Sequence, residues 1–188
     1  MSKKPTLWEK QIKAQIRRRY AKQAANGGLH KNAAEKMRDA GYPKSWIKQL
    51  PDALVTAFSG CGCPLAHIEL SGKETVIDLG SGAGIDSFLA ASRLPYGKVI
   101  SADAAPEMLM VANAALVRRN LFRIAADMEY LPFSNHLGDL IIANASLTLA
   151  TDKKQVAEEA HRLLKPGGSL AICDLIHDGD LPRDIIED

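Results

Sequence analysis

A doubly wound α/β fold, built on a mainly parallel sheet of about five strands, is what this sequence predicts, and three observations predict it. From Leu70 onward, short β-rich runs alternate with helical stretches of about 10 to 15 residues, a pattern that requires right-handed crossovers within one sheet. A glycine turn, Gly80-Ser81-Gly82-Ala83-Gly84, stands between the first such run and the helix after it. Carboxylates close the first three strands, at Asp78, Asp103 and Asp127.

The elements follow in order. From Leu7 to Ala25 there is no Gly or Pro, and Trp8, Ile12, Ile16 and Tyr20 recur every four residues, the stripe of an amphipathic helix. Asn26-Gly27-Gly28 ends it. A second helix is expected from Asn32 to Ala40, and a shorter third after Pro43 with Ser45 as its cap. These make residues 1–50 an N-terminal helical arm, and residues 51–188 the sheet domain. Strand one is Thr75–Leu79, followed by a helix over 85–94. Strand two is Gly97–Asp103, and Pro106 opens a helix to Arg119, at the first turn where its missing N–H costs nothing. Further strands are expected at 122–126, 139–144 and 169–175, with a helix over 153–164 stopped by Lys165-Pro166-Gly167-Gly168.

Charge narrows the function. The 188 residues carry a net charge of only +2, yet residues 1–50 hold 13 of the 24 basic and 3 of the 22 acidic side chains, a net +10 against −8 for the rest. The triplet Arg17-Arg18-Arg19 reads as a solvated helix face, as a nucleic-acid contact, or as an arm docked on its own acidic body. No aromatic platform interleaves the charges, so nucleic acid is not the favoured partner. The arm is therefore expected to cover the body's substrate pocket, held partly by its opposite charge. No apolar run is long enough for a secretion signal or a membrane span, and an odd count of three cysteines is no disulfide framework, so a cytoplasmic setting is expected. The histidines show no ligand spacing, and no metal site is expected.

The glycine turn carries the chemistry. Without Cβ atoms, Gly80, Gly82 and Gly84 let a ligand press against backbone amides. Asp78 just before them would repel a phosphate and suits an ammonium or sulfonium ligand. Asp103, 19 residues beyond Gly84, can accept both hydrogens of a ribose diol, and Asp127 can accept from an adenine amine. In open α/β sheets the ligand crevice lies at the carboxyl ends of the strands, where all three acids fall.

These residues resemble a known family. Val76–Gly84, Asp103–Leu109, Asp127–Phe133 and Leu164–Gly168 look like the ordered motifs of class I S-adenosylmethionine-dependent methyltransferases, with their Rossmann-like fold. The resemblance implies S-adenosyl-L-methionine as cofactor, with Asp78, Gly80, Ser81, Gly82 and Gly84 at its methionine part, Asp103 and Ala104 at the ribose, Asp127 and Met128 at the adenine, and Asn144 bordering the same crevice. Within that superfamily, Arg19–Ala25 and Ser59–Ala66 resemble segments of the arsenite methyltransferases, and Cys61 falls on an arsenic-ligand cysteine of that family. The family's Ser-Asn-Cys after strand four is Ala143-Asn144-Ala145 here, and its N-terminal cysteine cluster is absent. Cys61 and Cys63 are therefore the candidate substrate thiols, and Cys173, in an apolar strand, reads as a core residue.

The expected activity is methyl transfer to a small soft nucleophile, arsenite or a related metalloid or thiol. A cofactor-binding regulatory module or inactive partner subunit is the alternative, and a nucleic-acid methyltransferase is third. Only 13 residues follow Leu175, so the two final strands usual in the family are expected to be missing. That would leave strand five as an edge, blunted by the acidic tail from Asp178 to Asp188, or covered by a second copy or a partner subunit.

Overall fold

The computed structural model describes residues 6–25, 32–115, 118–176 and 179. Five parallel strands form one sheet in the order β3-β2-β1-β4-β5: β1 Thr75–Leu79, β2 Lys98–Asp103, β3 Leu121–Ala125, β4 Gly138–Asn144 and β5 Leu164–Cys173. Chain order reverses at β1, so the crevice between the ends of β1, β2 and β4 is the topological switch point.

Alternation along the central strands supplies two cores. Val76, Val99, Leu140 and Ile142 face one side with Leu89 and Met108, while Ile77, Leu79, Ile141 and Ala143 face the other with Ala160 and Leu163. Burial of β1 on both faces explains why Val76–Leu79 reads as an apolar run interrupted only by Asp78. Helices α5 Ile85–Ala91, α6 Pro106–Ala115 and α7 Lys153–Leu163 cross between strands. The start of α7 is fixed by Asp152, whose carboxylate accepts from the Gln155 amide at 3.0 Å.

Ahead of the sheet lie α1 Leu7–Ala25, α2 Ala33–Asp39, α3 Lys44–Ile47 and α4 Asp52–Thr56. Met37, Tyr42, Leu50 and Leu54 pack into the same core as Val76 and Leu89. Helix α1 has no fully buried residue, and Trp8, expected on its apolar stripe, is 63% exposed and lies outside the crevice that Ile16 and Tyr20 line. Residues 26–28, expected to end that helix, lie outside the described residues.

Three local expectations change. Ser45 lies inside α3, whose N-cap is Pro43, and Ser45 caps nothing. Strand β5 begins at Leu164, so Lys165-Pro166-Gly167-Gly168 lies within the strand. Pairing with β4 resumes after a register shift opposite Gly138 and Leu140. An edge strand tolerates a proline and a bulge because one side needs no ladder partner. Cys173 is half-exposed at the carboxyl end of that strand and is no core residue. Apart from Gly179, the acidic tail from Asp178 lies outside the described residues. Among the described residues, no helix is long and apolar enough to cross a membrane.

Candidate active site

A crevice of about 450 Å³ opens over the carboxyl ends of β1, β2, β3 and β4 and is roofed by α1. Its floor begins with the turn after β1. The Gly80 and Ser81 amides both donate to the Ala102 carbonyl, at 2.8 and 3.0 Å, which folds the turn back onto β2. Gly80 has φ +67° and its missing side chain faces Ser146, so a Cβ there would overlap the serine's side chain. Only glycine satisfies both the left-handed backbone and that close approach. The Ser81 hydroxyl is turned down to Ser101 at 2.7 Å, and Gly84 caps α5 behind the turn, lining neither this crevice nor its smaller neighbour.

Asp103 sits at the end of β2, where its two oxygens accept from the Gly82 and Ala105 amides, each at 2.8 Å. Burial pushes its carboxyl up from the ordinary range, against those two amides. Each oxygen keeps further acceptor capacity, and Asp103 and Ala104 both line the crevice. Asp127 lies two residues past β3, half-exposed, with Met128 lining the same wall.

Asp127 is not free. Lys13 of α1 reaches it at 2.7 Å and reaches Glu129 at 2.5 Å. Glu129 has a side chain only 3% exposed, and its other oxygen accepts from the Thr151 amide and hydroxyl and from the Asp152 amide. Burial alone would lower the Lys13 pKa, but its bonds to the two carboxylates and their charges hold it above the ordinary value. One turn further along, Ile16 and Arg17 line the crevice, and Tyr20 sits at its other end. Burial pushes the Tyr20 phenol up. Arg19 opposes this, and the charges of Asp103 and Asp174 add to it.

Behind the glycine turn lies a cavity of about 40 Å³ lined by Asp78, Asp86, Ser59 and Asn144. Asp78 is buried and accepts from the Ser87 hydroxyl at 2.6 Å; Asp86 accepts from Tyr42 at 2.7 Å and from Asn144 at 3.0 Å. Burial raises both carboxyls, and for Asp78 the charge of Asp86 adds to it. Two buried acids with no cation among their partners in the described residues favour a cationic guest.

Asn144, at the end of β4, ties the cysteine loop to this pair. Its oxygen accepts from the Cys61 and Gly62 amides at 3.0 and 3.2 Å, and its amide nitrogen donates to Tyr42, Asp86 and the Gly62 carbonyl. Cys61 is half-exposed just behind it, and Cys63 is 7% exposed, so the two do not face one open space together. The structure thus brings Gly80, Gly82, Asp103, Ala104, Asp127, Met128 and Asn144 to one crevice and Asp78 to its annex. Sequence reasoning missed Lys13, Glu129, Asp86 and Tyr42. Asp86, two residues past the last glycine, and Glu129, two past Asp127, carried a signal as further acids in the same motifs; Lys13 and Tyr42 carried none.

A parallel sheet of this order, with a glycine turn after β1 and acids closing successive strands, is the architecture of a class I S-adenosylmethionine-dependent methyltransferase. The chain belongs to the methyltransferase domain family, whose sequence model matches residues 70–188. It is 37% identical over 131 residues to an arsenite methyltransferase of Halobacterium salinarum, an alignment covering 67% of this chain and 33% of the relative. A trans-aconitate 2-methyltransferase of Methylobacterium radiotolerans is 38% identical over 108 residues, covering 57% of this chain and 40% of the relative. Among solved structures, an arsenic(III) S-adenosylmethionine methyltransferase of Chlamydomonas reinhardtii superposes with a TM-score of 0.63 at 29% identity, covering 81% of this chain and 52% of that one. The chain thus spans a third to about half of the length of the relatives it matches.

Proposed function

We propose that this chain transfers a methyl group from S-adenosylmethionine to a small soft nucleophile, with arsenite or a related metalloid or thiol as the acceptor class. The observation that carries the reading is the crevice at the switch point, where the glycine turn, Asp103 and Asp127 come from successive strand ends. The residues fit the cofactor's parts. Asp78 and Asp86 suit its ammonium, Asp103 its ribose hydroxyls, and Asp127 with the Met128 wall its adenine amine and ring. Gly80 and Gly82, at φ +67° and +54°, leave the floor bare of side chains.

The cofactor supplies a methyl group already activated by a positively charged sulfur. What remains for the protein is to align an acceptor opposite that methyl and to exclude water. Helix α1, latched by Lys13, roofs the crevice, and this supports the division into an arm over residues 1–50 and a cofactor domain over 51–188. The acceptor would enter at the ends of β4 and β5, beside Asn144 and the cysteine loop. That acceptor class rests on the names of the arsenite-methylating relatives and on Cys61. We include in the proposal a cytoplasmic setting and a second copy or partner subunit at the outer edge of β5, where Leu170 and Ile172 are exposed.

The test has two parts. Titration calorimetry should show S-adenosylmethionine binding to the wild-type chain and a loss of about 10²-fold on Asp103→Ala, the worth of two hydrogen bonds to a charged group. Unchanged affinity in that variant would remove Asp103 from the site. Incubation with methyl-labelled cofactor, arsenite and a thiol, followed by mass spectrometry, should then show labelled product. Binding without transfer to arsenite or to any of a panel of thiols would instead favour a regulatory module.

A further inference from the structure

Cys173 is the thiol that neither the glycine turn nor the strand-end acids account for. It closes β5 directly beside Asn144 of β4, and its carbonyl accepts from the Ala145 amide at 2.8 Å. The cysteine loop is folded onto it. A Cβ added at Gly62 would lie 2.6 Å from the Cys173 Cβ and 2.7 Å from its Sγ, so only glycine between Cys61 and Cys63 lets the loop approach. On the other side of that contact, the Cys61 amide bonds to Asn144 at 3.0 Å and the Cys61 Sγ lies 3.8 Å from the same Asn144 oxygen. Two half-exposed thiols from segments 112 positions apart therefore flank one glycine and one asparagine, and that asparagine lines the crevice.

Cys63 is the lesser partner. It is buried, and burial together with the Asp86 charge pushes its thiol up to about 12. We infer that Cys61 and Cys173, rather than Cys61 and Cys63, form a two-thiol site for the neutral hydroxide of a trivalent, thiophilic metalloid. This deepens the methyltransferase reading and rests on it for why such a ligand belongs there.

Proton accounting selects the ligand class. A trihydroxide M(OH)₃ condensing with two thiols forms two M–S bonds and breaks two M–O bonds, and each thiol proton leaves with a hydroxide as water. Charge and oxidation state are unchanged. A divalent cation would instead need both protons expelled. Burial holds both thiols above their ordinary value, for Cys61 with the Asp174 charge and for Cys173 with the charges of Cys61, Asp86 and Asp174. That cost falls on the cation and not on the neutral hydroxide. Among the described residues, no group of three or more His, Cys, Asp or Glu could hold a metal ion.

The test uses the full chain without cofactor, reduced with a phosphine so that no small dithiol competes. Arsenite is added, the protein is treated with N-ethylmaleimide, and labelling is read at each cysteine by peptide mass spectrometry. Cys61 and Cys173 should be protected together, and Cys63 should react equally slowly with and without arsenite. Cys61→Ser and Cys173→Ser should each weaken arsenite binding by about 10²-fold, as expected when a chelate loses one arm, while Cys63→Ser stays within about twofold. Protection of Cys61 with Cys63, or a Cys63→Ser loss as large as that of Cys173→Ser, would overturn the pairing. Absence of protection anywhere would overturn the site. Cofactor binding by each serine variant separates a lost site from a lost fold. A wild-type chain that protects both thiols yet binds no S-adenosylmethionine would sink the methyltransferase reading and leave this one standing.

Discussion

Replacing Lys13 by Met tests how α1 is held over the crevice. The substitution keeps the aliphatic stem and removes the charge. Two contacts are lost, of unequal worth. Asp127 is 38% exposed, so water takes the ammonium's place and the loss is about 0.2–1 kcal/mol. Glu129 is 3% exposed, and among the described residues Lys13 pairs with its Oε2 while the three donors from Thr151 and Asp152 all reach Oε1. An oxygen left unpaired on a buried carboxylate costs about 2–3 kcal/mol, less than full loss of a buried pair because Oε1 stays satisfied. The expected total is about 2–4 kcal/mol, concentrated in α1. Hydrogen exchange read by mass spectrometry should show α1 peptides of Lys13→Met exchanging faster while β1 stays protected, and urea unfolding should report the global part. Adding Glu129→Gln should return about half of the loss, since a neutral amide needs no cation. Unchanged α1 exchange in Lys13→Met, with unfolding free energy within about 0.5 kcal/mol of wild type, would show that the latch holds nothing. The sign with pH is also set. With the native Lys13 pKa raised, its contribution is complete below the ordinary value of 10.5 and disappears as pH rises through the higher native value.

Ala145, the residue after β4, has φ +54°, a left-handed conformation that costs an alanine about 1–2 kcal/mol and a glycine little. After glycine's greater loss of chain entropy, Ala145→Gly should stabilise the protein by about 0.5 kcal/mol; a lower thermal midpoint would contradict the strain. Burial and Asp86 raise the Asp78 carboxyl above its ordinary 3.8, so the native chain holds that proton to higher pH, and in the proposed site a cationic cofactor group would displace it. Cofactor affinity should therefore rise with pH through the native titration, with net proton release detectable by calorimetry in buffers of different ionisation heat. Asp78→Asn should reduce the release to what Asp86 contributes, and binding heats independent of buffer in the wild type would rule the coupling out.

Much of the fold was legible because its signals are local. A β-rich run, a glycine turn and a helix within about 20 residues of each other specify a strand-turn-helix unit, and the repeat of that unit specifies a parallel sheet. β5 was misread at its start because Pro166 and two glycines signal a break wherever they occur, and only an edge position makes them compatible with a strand. The site divides in the same way. Gly80, Gly82, Asp103 and Asp127 could be named because each stands at a fixed offset from its own strand end.

Lys13 could not be named, because its partner Glu129 lies 116 residues away and nothing in a basic helix says which lysine will meet which acid. The same holds for Tyr42, which reaches Asp86, and for Cys173, which reads as an ordinary strand residue until Gly62 is laid against it. By itself, then, the sequence determined the order of elements, the parallel sheet and the strand-end acids, all set by short-range periodicity and backbone chemistry. Which cation latches the arm, which acids are buried together and which strand residue the Gly62 loop lies against depend on how distant segments pack, and only the tertiary structure decided them.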